Sequence, residues 1–339
     1  MRTAAITARG TIEIVERPQP HAAGDLVVVQ ILVAPMCTEF KSRRAGELSD
    51  SLGHEAAGVV VDAGTSSRVS VGDRVVVMPG NACGTCRYCI AGEHIHCPFP
   101  RDVLVESGQT YGTATYAEYV LKPDWLLVPV PDEVSLVHAS AACCLLGPGF
   151  NAGQRMNVSA SDTLLVAGCG PVGLGAIVNG TVRNATVLAL EVNPWRADLA
   201  RRLGAQIFDP TAPDVAEQIL AATGGWGVTA SIETSGIPAS PALLASVSAR
   251  RAGLSIVAWG LDIALPPIVP LGLDVHGVWH WKHQTDGWRM IETIRKARGL
   301  LDAAITHRFA LNDVSAAMDV QDSGQCGKVL LFPQGVAEL

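Results

Sequence analysis

Three glycines in the middle of the chain constrain the fold more than any other feature of the sequence. They are Gly168, Gly170 and Gly173, and apolar stretches at 163–167 and 186–190 flank them. The two stretches predict strands, and apolar residues at helical spacing after the third glycine predict a helix between the strands. The first glycine suits a tight turn, the second lets another molecule approach the backbone, and the third lets helix and strand pack closely. This order predicts a strand–turn–helix–strand unit of a parallel sheet.

An acidic residue closes the second of these strands. Glu191 stands eighteen residues after Gly173. In a unit of this kind the pyrophosphate of a dinucleotide lies on the helix N-terminus, and the acid accepts hydrogen bonds from the ribose hydroxyls. Its charge would repel a 2′-phosphate, which favours NAD over NADP, although Arg196 nearby complicates that preference. The predicted cofactor-binding residues are Gly168, Gly170, Pro171, Val172, Gly173, Glu191, Arg196 and Ser235.

Ser235 belongs to this set because it follows another predicted strand, at 228–233. The carboxyl ends of parallel strands meet at one edge of a sheet, so Ser235 is expected near the nicotinamide ribose. Strands and helices continue to alternate as far as an edge strand at 274–279. That alternation predicts a doubly wound parallel sheet with helices on both faces.

Length and composition limit the other possibilities. A chain of 339 residues is too long for one core and suggests two domains. With 48% hydrophobic and 17% charged residues it can bury sizeable cores, and a net charge of -7 argues against nucleic acid and against an anionic membrane surface. No apolar run is long enough to span a membrane, and the first residues lack a signal-peptide pattern, so we expect a cytoplasmic protein with no membrane partner.

The cysteines indicate a metal site. There are nine, and four of them follow the spacing Cys83-x2-Cys86-x2-Cys89-x7-Cys97. In a chain expected to be cytoplasmic, such cysteines indicate metal ligands or buried thiols before disulfides. Four thiols in so short a loop can converge on one tetrahedral ion, and a zinc with four sulfur ligands has no open position for chemistry. The lobe at 83–97 is therefore predicted to hold a structural zinc.

The residues before this lobe predict a mainly-β domain. Polar and apolar residues alternate at 11–15, and an apolar run at 25–33 follows a break at Arg17-Pro-Gln-Pro20. Two further short strands with glycine turns are predicted at 53–61 and 71–77.

These motifs occur in an order that resembles the zinc-dependent medium-chain alcohol/polyol dehydrogenases. Besides the four-cysteine lobe and the glycine turn, the shared motifs are Gly53-His54-Glu55-x2-Gly58, Gly72-Asp-Arg-Val75, Tyr116-Ala-Glu-Tyr119, Leu203-Gly-Ala205 and Gly327-Lys-Val-Leu330. The resemblance covers nearly the whole chain. It implies an α/β protein in which a Rossmann domain, a doubly wound parallel sheet, is inserted into a mainly-β (GroES-like) catalytic domain. The catalytic domain is placed at 1–150, the NAD-binding Rossmann domain at 151–284, and the return to the catalytic domain at 285–339.

The resemblance also implies a catalytic zinc. In this family the metal takes an early cysteine, the histidine of Gly-His-Glu and a third ligand just before the Rossmann domain, and the first two positions match Cys37 and His54. Cys143 and Cys144 both offer a thiol for the third, and the family spacing favours Cys144. Glu55 matches an acid that supports such ligands. Two cysteines and one histidine leave a fourth position open for a substrate oxygen.

One motif departs from the family pattern. Family members usually have Cys-x-(Ser/Thr)-Asp, in which the hydroxyl relays the substrate proton, whereas this chain has Cys37-Thr38-Glu39-Phe40. Aligned without a gap, Glu39 replaces the hydroxyl and Phe40 the acid. With one residue deleted, Thr38 and Glu39 take those two roles. Glu39 could act as a general base or be an exposed acid at the start of a helix, so Thr38 and Glu39 are both candidates for the catalytic site.

The function implied by the resemblance is hydride transfer between NAD(H) and a small secondary alcohol or ketone, with two zinc ions per chain. The chain lacks the long insertion of some alcohol-specific members, which favours a polyol, sugar or cyclitol substrate. By analogy we expect a homodimer or homotetramer. Two alternatives stay open: a zinc-independent double-bond or quinone reductase of the same fold, and a non-enzymatic NAD-responsive binding protein.

Histidines outside these motifs receive no role from the sequence. His94 and His96 lie in the four-cysteine loop and are expected on its solvated surface. His280 and His283 follow the last predicted strand, and two histidines at that spacing could bind a metal. Because the chain already has two predicted zinc sites, we interpret this pair as a polar exit from the strand.

Overall fold

The computed structural model describes residues 1–260 and 268–336, and its chain divides into two units. The first unit comprises Met1–Cys143, Lys282–Arg295 and Ile305–Leu339, and the second comprises Cys144–Trp281 and Lys296–Ala304. The second unit thus begins a few residues before the predicted boundary, and it also includes a short segment that the sequence assigned to the returning part of the catalytic domain.

Strands and short helices alternate along the described residues. The strands are β1 (Arg2–Ala8), β2 (Thr11–Glu16), β3 (Leu26–Pro35), β4 (Ala56–Asp62), β5 (Arg74–Val77), β6 (Tyr119–Pro123), β7 (Leu127–Pro129), β8 (Thr163–Ala167), β9 (Thr186–Leu190), β10 (Gln206–Phe208), β11 (Val228–Glu233), β12 (Ser248–Ile256), β13 (Asp274–Gly277), β14 (Ile305–Ala310) and β15 (Lys328–Phe332). The helices are α1 (Glu39–Ala45), α2 (Arg87–Ile90), α3 (Val103–Ser107), α4 (Leu136–Ala139), α5 (Gly147–Arg155), α6 (Pro171–Val182), α7 (Pro194–Arg202), α8 (Val215–Ala222), α9 (Ser240–Ser246), α10 (Ile268–Leu271), α11 (His283–Lys296), α12 (Arg298–Ala304) and α13 (Val314–Ser323).

The first unit is mainly β, as predicted. Its larger sheet has the order β14-β15-β3-β4-β5-β7, and β6 also pairs with β3. Strand β3 is central because it pairs with β15, β4 and β6, and most of its residues are buried. Strands β14 and β15 come from the other end of the chain, so both ends build this unit. Its core includes Val29, Ile31, Val60, Val75 and Leu331.

The second unit contains the predicted doubly wound sheet. Its six strands are all parallel and have the order β10-β9-β8-β11-β12-β13. The order reverses between β8 and β11, and in such sheets ligands bind at the carboxyl ends of the strands beside this reversal. The core of the unit includes Leu165, Leu188, Leu190, Ile219, Leu244 and Leu254.

The segment that the sequence assigned to the catalytic domain is α12. It belongs to the second unit because it packs against α6 and α7. A sequence pattern does not show which of two neighbouring domains such a short segment packs against.

The sequence predicts no membrane-spanning segment and favours metal ligands or buried thiols over disulfides. Among the described residues, no helix combines the length and the apolar character needed to cross a membrane. All nine cysteines lie in this part of the chain, and none of them forms a disulfide.

Candidate active site

The four cysteines of the lobe at 83–97 come together in the first unit. Their sulfurs lie within 4.8 Å of one another. The Sγ–Sγ distance is 3.8 Å from Cys83 to Cys89, 3.5 Å from Cys86 to Cys89 and 3.8 Å from Cys86 to Cys97. A zinc ion bound about 2.3 Å from each of four tetrahedral sulfurs separates neighbouring sulfurs by about 3.8 Å. The spacing of these sulfurs therefore fits a four-coordinate zinc ion.

Backbone amides around the lobe favour the thiolate form that a metal needs. The N–H of Cys86 donates to the Cys83 sulfur over 3.3 Å, and the N–H of Cys83 donates to the Cys97 sulfur over 3.4 Å. Donors from Thr85 and Cys86 lower the pKa of Cys83 to about 6. Because thiolates bind metals and thiols do not, these donors prepare the lobe for a cation.

A second group consists of Cys37, His54, Glu55 and Cys144. One ligand atom from each residue lies within 4.8 Å of the others. Cys37 follows the end of β3, and His54 precedes the start of β4. Because β3 and β4 are antiparallel neighbours, these two residues meet at one edge of the sheet.

Cys144 is positioned at this end of the sheet by its neighbour Cys143. A single peptide bond joins it to Cys143, which ends the first long segment of the first unit. The Cys143 thiol donates to the carbonyl of Val77, the last residue of β5, over 3.4 Å. Of the two cysteines that the sequence offered as a third ligand, Cys144 therefore lies with Cys37 and His54, while Cys143 points to a carbonyl.

Glu39 determines the orientation of the His54 ring. Its Oε1 is 2.8 Å from His54 Nδ1, and its Oε2 accepts from the Tyr116 hydroxyl over 2.7 Å and from the Cys37 N–H over 3.1 Å. Although burial opposes ionisation, the hydrogen bonds with His54 and Tyr116 hold the pKa of Glu39 at about 2. Nδ1–H of His54 thus donates to a carboxylate, which leaves the Nε2 lone pair for a metal.

The surroundings of His54 favour a positive charge. Burial lowers the pKa of His54, but hydrogen bonds with Cys37 and Glu39 outweigh burial and raise it to about 11. A divalent cation satisfies the same preference as a proton, and sulfur and imidazole donors suit zinc. The residues present therefore fit a catalytic zinc.

Thr38 and Glu39, the two candidates for the catalytic site that follow Cys37, lie in different surroundings. The Glu39 side chain is only 12% exposed and faces His54, so it is not an exposed acid at a helix start. Thr38 is exposed and makes no capping hydrogen bond to α1. Glu39 thus contacts a ligand residue of the second group, while Thr38 lies exposed beside Cys37.

Three further residues support the group, and sequence reasoning gave none of them a role. The Lys328 ammonium lies 2.7 Å from Glu55 Oε1, and both side chains are fully buried. Gln321 on α13 donates to the Cys37 carbonyl over 2.9 Å, and Tyr116 contacts Glu39 as described above. Of these three residues, only Lys328 had a signal in the sequence. It starts the wholly buried strand β15, and a buried ammonium needs a partner of opposite charge.

The glycine turn of the second unit has the predicted form. Gly168 has a φ of +86°, which favours glycine. A Cβ on Gly173 would lie 1.8 Å from the Gly168 carbonyl oxygen, so only glycine allows α6 to approach β8 this closely. A Cβ on Gly170 would meet nothing within 4 Å, which leaves its face of the turn open. Helix α6 starts at Pro171 beside this open face, and the N–H groups of its first turn have no partner within the helix.

The other predicted nucleotide residues lie around the same turn. Glu191 accepts hydrogen bonds from the backbone N–H groups of Cys169, Val192 and Asn193 over 2.7–2.9 Å, so its own loop holds the carboxylate beside the turn. Ser235 packs against Gly168, since a Cβ there would lie 2.8 Å from Ser235 Cα. Arg196 is partly buried in the first turn of α7.

Two histidines that the sequence placed on polar surfaces are buried instead. His94 is 2% exposed and His283 is 5% exposed, and their Nδ1 atoms lie 3.1 Å apart. His283 Nε2 is 2.9 Å from the Trp125 carbonyl oxygen, so Nε2 carries the proton and Nδ1 accepts from His94. The expectation of a solvated turn for His94 and a polar exit for His283 was wrong because their partners are distant in sequence.

The fold and these two groups of residues define a class of metal-dependent, nucleotide-linked oxidoreductase. The family model described as alcohol dehydrogenase GroES-like domain matches residues 27–132, and the one described as zinc-binding dehydrogenase matches residues 171–294. The chain therefore belongs to the zinc-binding alcohol dehydrogenase family, and it is an oxidoreductase of the alcohol and polyol dehydrogenase type.

Individual relatives match over almost their full length. The sorbitol dehydrogenase of Bacillus subtilis strain 168 is 29% identical over 98% of this chain and 97% of its own length. An L-threonine 3-dehydrogenase of Bacillus velezensis is 31% identical over 94% of each chain. Among solved structures, an alcohol dehydrogenase from Thermus sp. ATN1 has a TM-score of 0.86 at 22% identity and covers 98% of this chain and 100% of its own.

Proposed function

We propose that this protein is a zinc-dependent dehydrogenase that transfers a hydride between NAD(H) and a secondary alcohol or ketone, with a polyol, sugar or cyclitol as substrate. One observation carries this proposal: two sulfurs and an imidazole nitrogen from three separate segments lie within 4.8 Å of one another. The names of two relatives support the substrate class, because sorbitol and L-threonine both carry a secondary hydroxyl.

Two zinc ions per chain are proposed. Cys83, Cys86, Cys89 and Cys97 would hold the structural ion, and Cys37, His54 and Cys144 would hold the catalytic ion. When bound, a catalytic zinc polarises the substrate oxygen and lowers the pKa of an alcohol toward neutrality. Glu55 would support this ligand set from a position 4.0 Å from His54 Nε2.

The chain's own residues then prepare the site. Glu39 keeps His54 in the tautomer whose Nε2 is free of a proton, and Gln321 holds the Cys37 backbone. We assign the proton relay to Thr38, because its hydroxyl is exposed next to Cys37 while both Glu39 oxygens already accept hydrogen bonds from protein groups.

Glu39→Gln is expected to lower zinc affinity at the catalytic site by about 10–100-fold. The amide can place its N–H₂ group against His54 Nδ1, which would move the ring proton to Nε2 and block the metal-binding lone pair. Zinc affinity is measured by competition with a chromophoric chelator, with the exposed Glu47→Gln as the matched control. Equal zinc retention in the two variants would show that Glu39 does not set the tautomer.

The nucleotide preference is assigned to Glu191. Glu191→Ala is expected to reduce the preference for NAD over NADP by about 10–100-fold, because a hydrogen bond to a charged group contributes about 1.5–3 kcal/mol and the repulsion of a 2′-phosphate is also lost. The ratio of kcat/KM for the two nucleotides measures this change. Glu217→Ala, an exposed acid on α8, should leave the ratio as it is. An unchanged ratio in Glu191→Ala would remove this residue from the nucleotide site.

We also propose a homo-oligomer and a cytoplasmic location. Strand β13 ends the order of the six-stranded sheet, and within the described residues no further strand pairs with its outer side. A second copy of the chain could continue the sheet across a two-fold axis. Light scattering on the purified protein would give the mass of two or four chains, and the mass of one chain would refute the assembly.

Zinc content and substrate turnover of the native protein test the main proposal. Elemental analysis should give about two zinc ions per chain, and secondary alcohols should reduce NAD until a chelator removes the catalytic zinc. About one zinc ion, with no alcohol-dependent reduction, would leave only the four-cysteine lobe occupied. The protein would then be better explained as a zinc-independent double-bond or quinone reductase. Two zinc ions without turnover of any alcohol would favour the binding protein.

A further inference from the structure

The imidazole of His280 lies against the sulfur of Cys144. His280 Nε2 and Cys144 Sγ are 3.7 Å apart, a hydrogen-bonding distance for sulfur, and the two residues are 2% and 7% exposed. Sequence reasoning interpreted His280 as part of a polar exit from the last strand. Instead its ring is buried and faces the third ligand of the proposed catalytic zinc.

Helix α5 holds His280 in this position from two sides. Asn151 donates to the His280 carbonyl over 2.6 Å, and the ring of Trp281 packs edge-on against Phe150 at 6.0 Å. Both anchors lie on the helix that begins shortly after Cys144. The sulfur and the imidazole are therefore positioned by one local piece of structure, and the anchor at His280 uses its backbone rather than its side chain.

The direction of the hydrogen bond follows from the chemistry of the sulfur. A cysteine that binds zinc is a thiolate and has no proton to donate. His280 Nε2 must then carry the proton and donate a hydrogen bond to the sulfur. The group whose ligand atoms lie within 4.8 Å of one another consists of Cys37, His54, Glu55 and Cys144, and His280 Nε2 contacts the sulfur of Cys144. Its nitrogen is therefore placed to act on that sulfur.

We infer that His280 is a positioning residue for the catalytic zinc, which donates Nε2–H to the Cys144 thiolate. A donor at the sulfur withdraws part of its negative charge and also fixes the direction of its remaining lone pairs. The inference rests on the proposed catalytic zinc. It adds a residue that the sequence motifs do not include.

Two substitutions separate the hydrogen bond from the shape of the ring. His280→Phe keeps a planar ring but removes the donor, whereas His280→Gln keeps an N–H donor on a side chain of similar length. Both leave the backbone anchor to Asn151 in place. The experiment uses the full-length zinc protein and measures zinc release to a chromophoric chelator, with the ion of the four-cysteine lobe as the internal reference.

The catalytic zinc should leave His280→Phe about 10–100-fold faster than the wild type, and His280→Gln should stay close to the wild type. In protein reloaded with cobalt, the sulfur-to-metal charge-transfer band of His280→Phe should move to longer wavelength, because the sulfur electrons lose the stabilising donor. His280→Gln should show little movement. A purely structural role for the ring would not move this band.

Three outcomes would overturn the inference. Zinc release and the cobalt band could be the same in His280→Phe as in the wild type, or the phenylalanine and glutamine variants could change equally, which would indicate packing alone. A wild-type protein that holds metal only in the four-cysteine lobe would refute the catalytic zinc and this inference together. That last outcome is visible before any substitution is made, so it is distinct from the first two.

Discussion

Cys144→Ala should reduce the zinc content from about two ions per chain to about one and lower kcat/KM for alcohol oxidation by roughly a thousandfold or more. Loss of one sulfur leaves Cys37 and His54 as the two strong donors of the proposed catalytic site. Polarisation of an oxygen by a metal is worth several kcal/mol in the transition state, which corresponds to about three orders of magnitude in rate. Elemental analysis and steady-state kinetics on the same preparations give both values.

The neighbouring cysteine is the matched control. Cys143 is buried, as Cys144 is, but its thiol donates to the Val77 carbonyl and does not lie in the group of ligand atoms. Cys143→Ala should therefore keep both zinc ions and most of the activity. If Cys143→Ala instead lost one zinc ion and Cys144→Ala kept both, the third ligand would be the other thiol.

Lys328→Met should destabilise the first unit by about 3–5 kcal/mol, the cost of removing one partner from a buried ion pair. Lys328 and Glu55 are 1% and 0% exposed, and their charged atoms are 2.7 Å apart. Burial raises the pKa of the Glu55 carboxyl, and the Lys328 ammonium opposes that rise. Without the ammonium, the carboxylate must either stay charged in the core or take up a proton, and both cost free energy. Urea unfolding measures the loss.

A double variant and a surface control make this result specific. Replacing both partners, as Glu55→Gln with Lys328→Met, should recover much of the lost stability because no uncompensated charge stays buried. Lys282→Met removes the partly exposed pair with Glu93 and should cost at most about 1 kcal/mol. Equal urea midpoints for Lys328→Met and Lys282→Met would contradict a stabilising role for the buried pair.

The nucleotide turn and the four-cysteine lobe could be predicted in detail because each is local. The three glycines lie within one strand–turn–helix unit, and Glu191 ends the next strand. The distances between these residues are set by a few backbone dihedral angles, so their spacing in the sequence carries most of the geometry. The same holds for the four cysteines, whose loop is short enough for the spacing alone to indicate a tetrahedral site.

The group proposed to hold the catalytic zinc is different because its members lie in separate segments: Cys37 after β3, His54 before β4 and Cys144 before α5. The family pattern supplied Cys37, His54 and Cys144, but it left open which of two roles Glu39 has. The Tyr116 hydroxyl, 77 residues away along the chain, and His54 both bond to Glu39 and assign it the orienting role. Neither alignment of the short motif contains that information.

The sequence by itself determined the two-domain class, the nucleotide turn, the four-cysteine lobe and the family to which the chain belongs. The tertiary structure alone decided which buried polar groups pair with one another: Lys328 with Glu55 across 273 residues, His283 with His94 across 189, and His280 with Cys144 across 136. The physical reason is that a buried polar group must have a partner. The position of a residue in a strand or helix can predict that it is buried and therefore needs a partner. The identity of that partner depends on how distant strands and helices pack, and no local pattern records it.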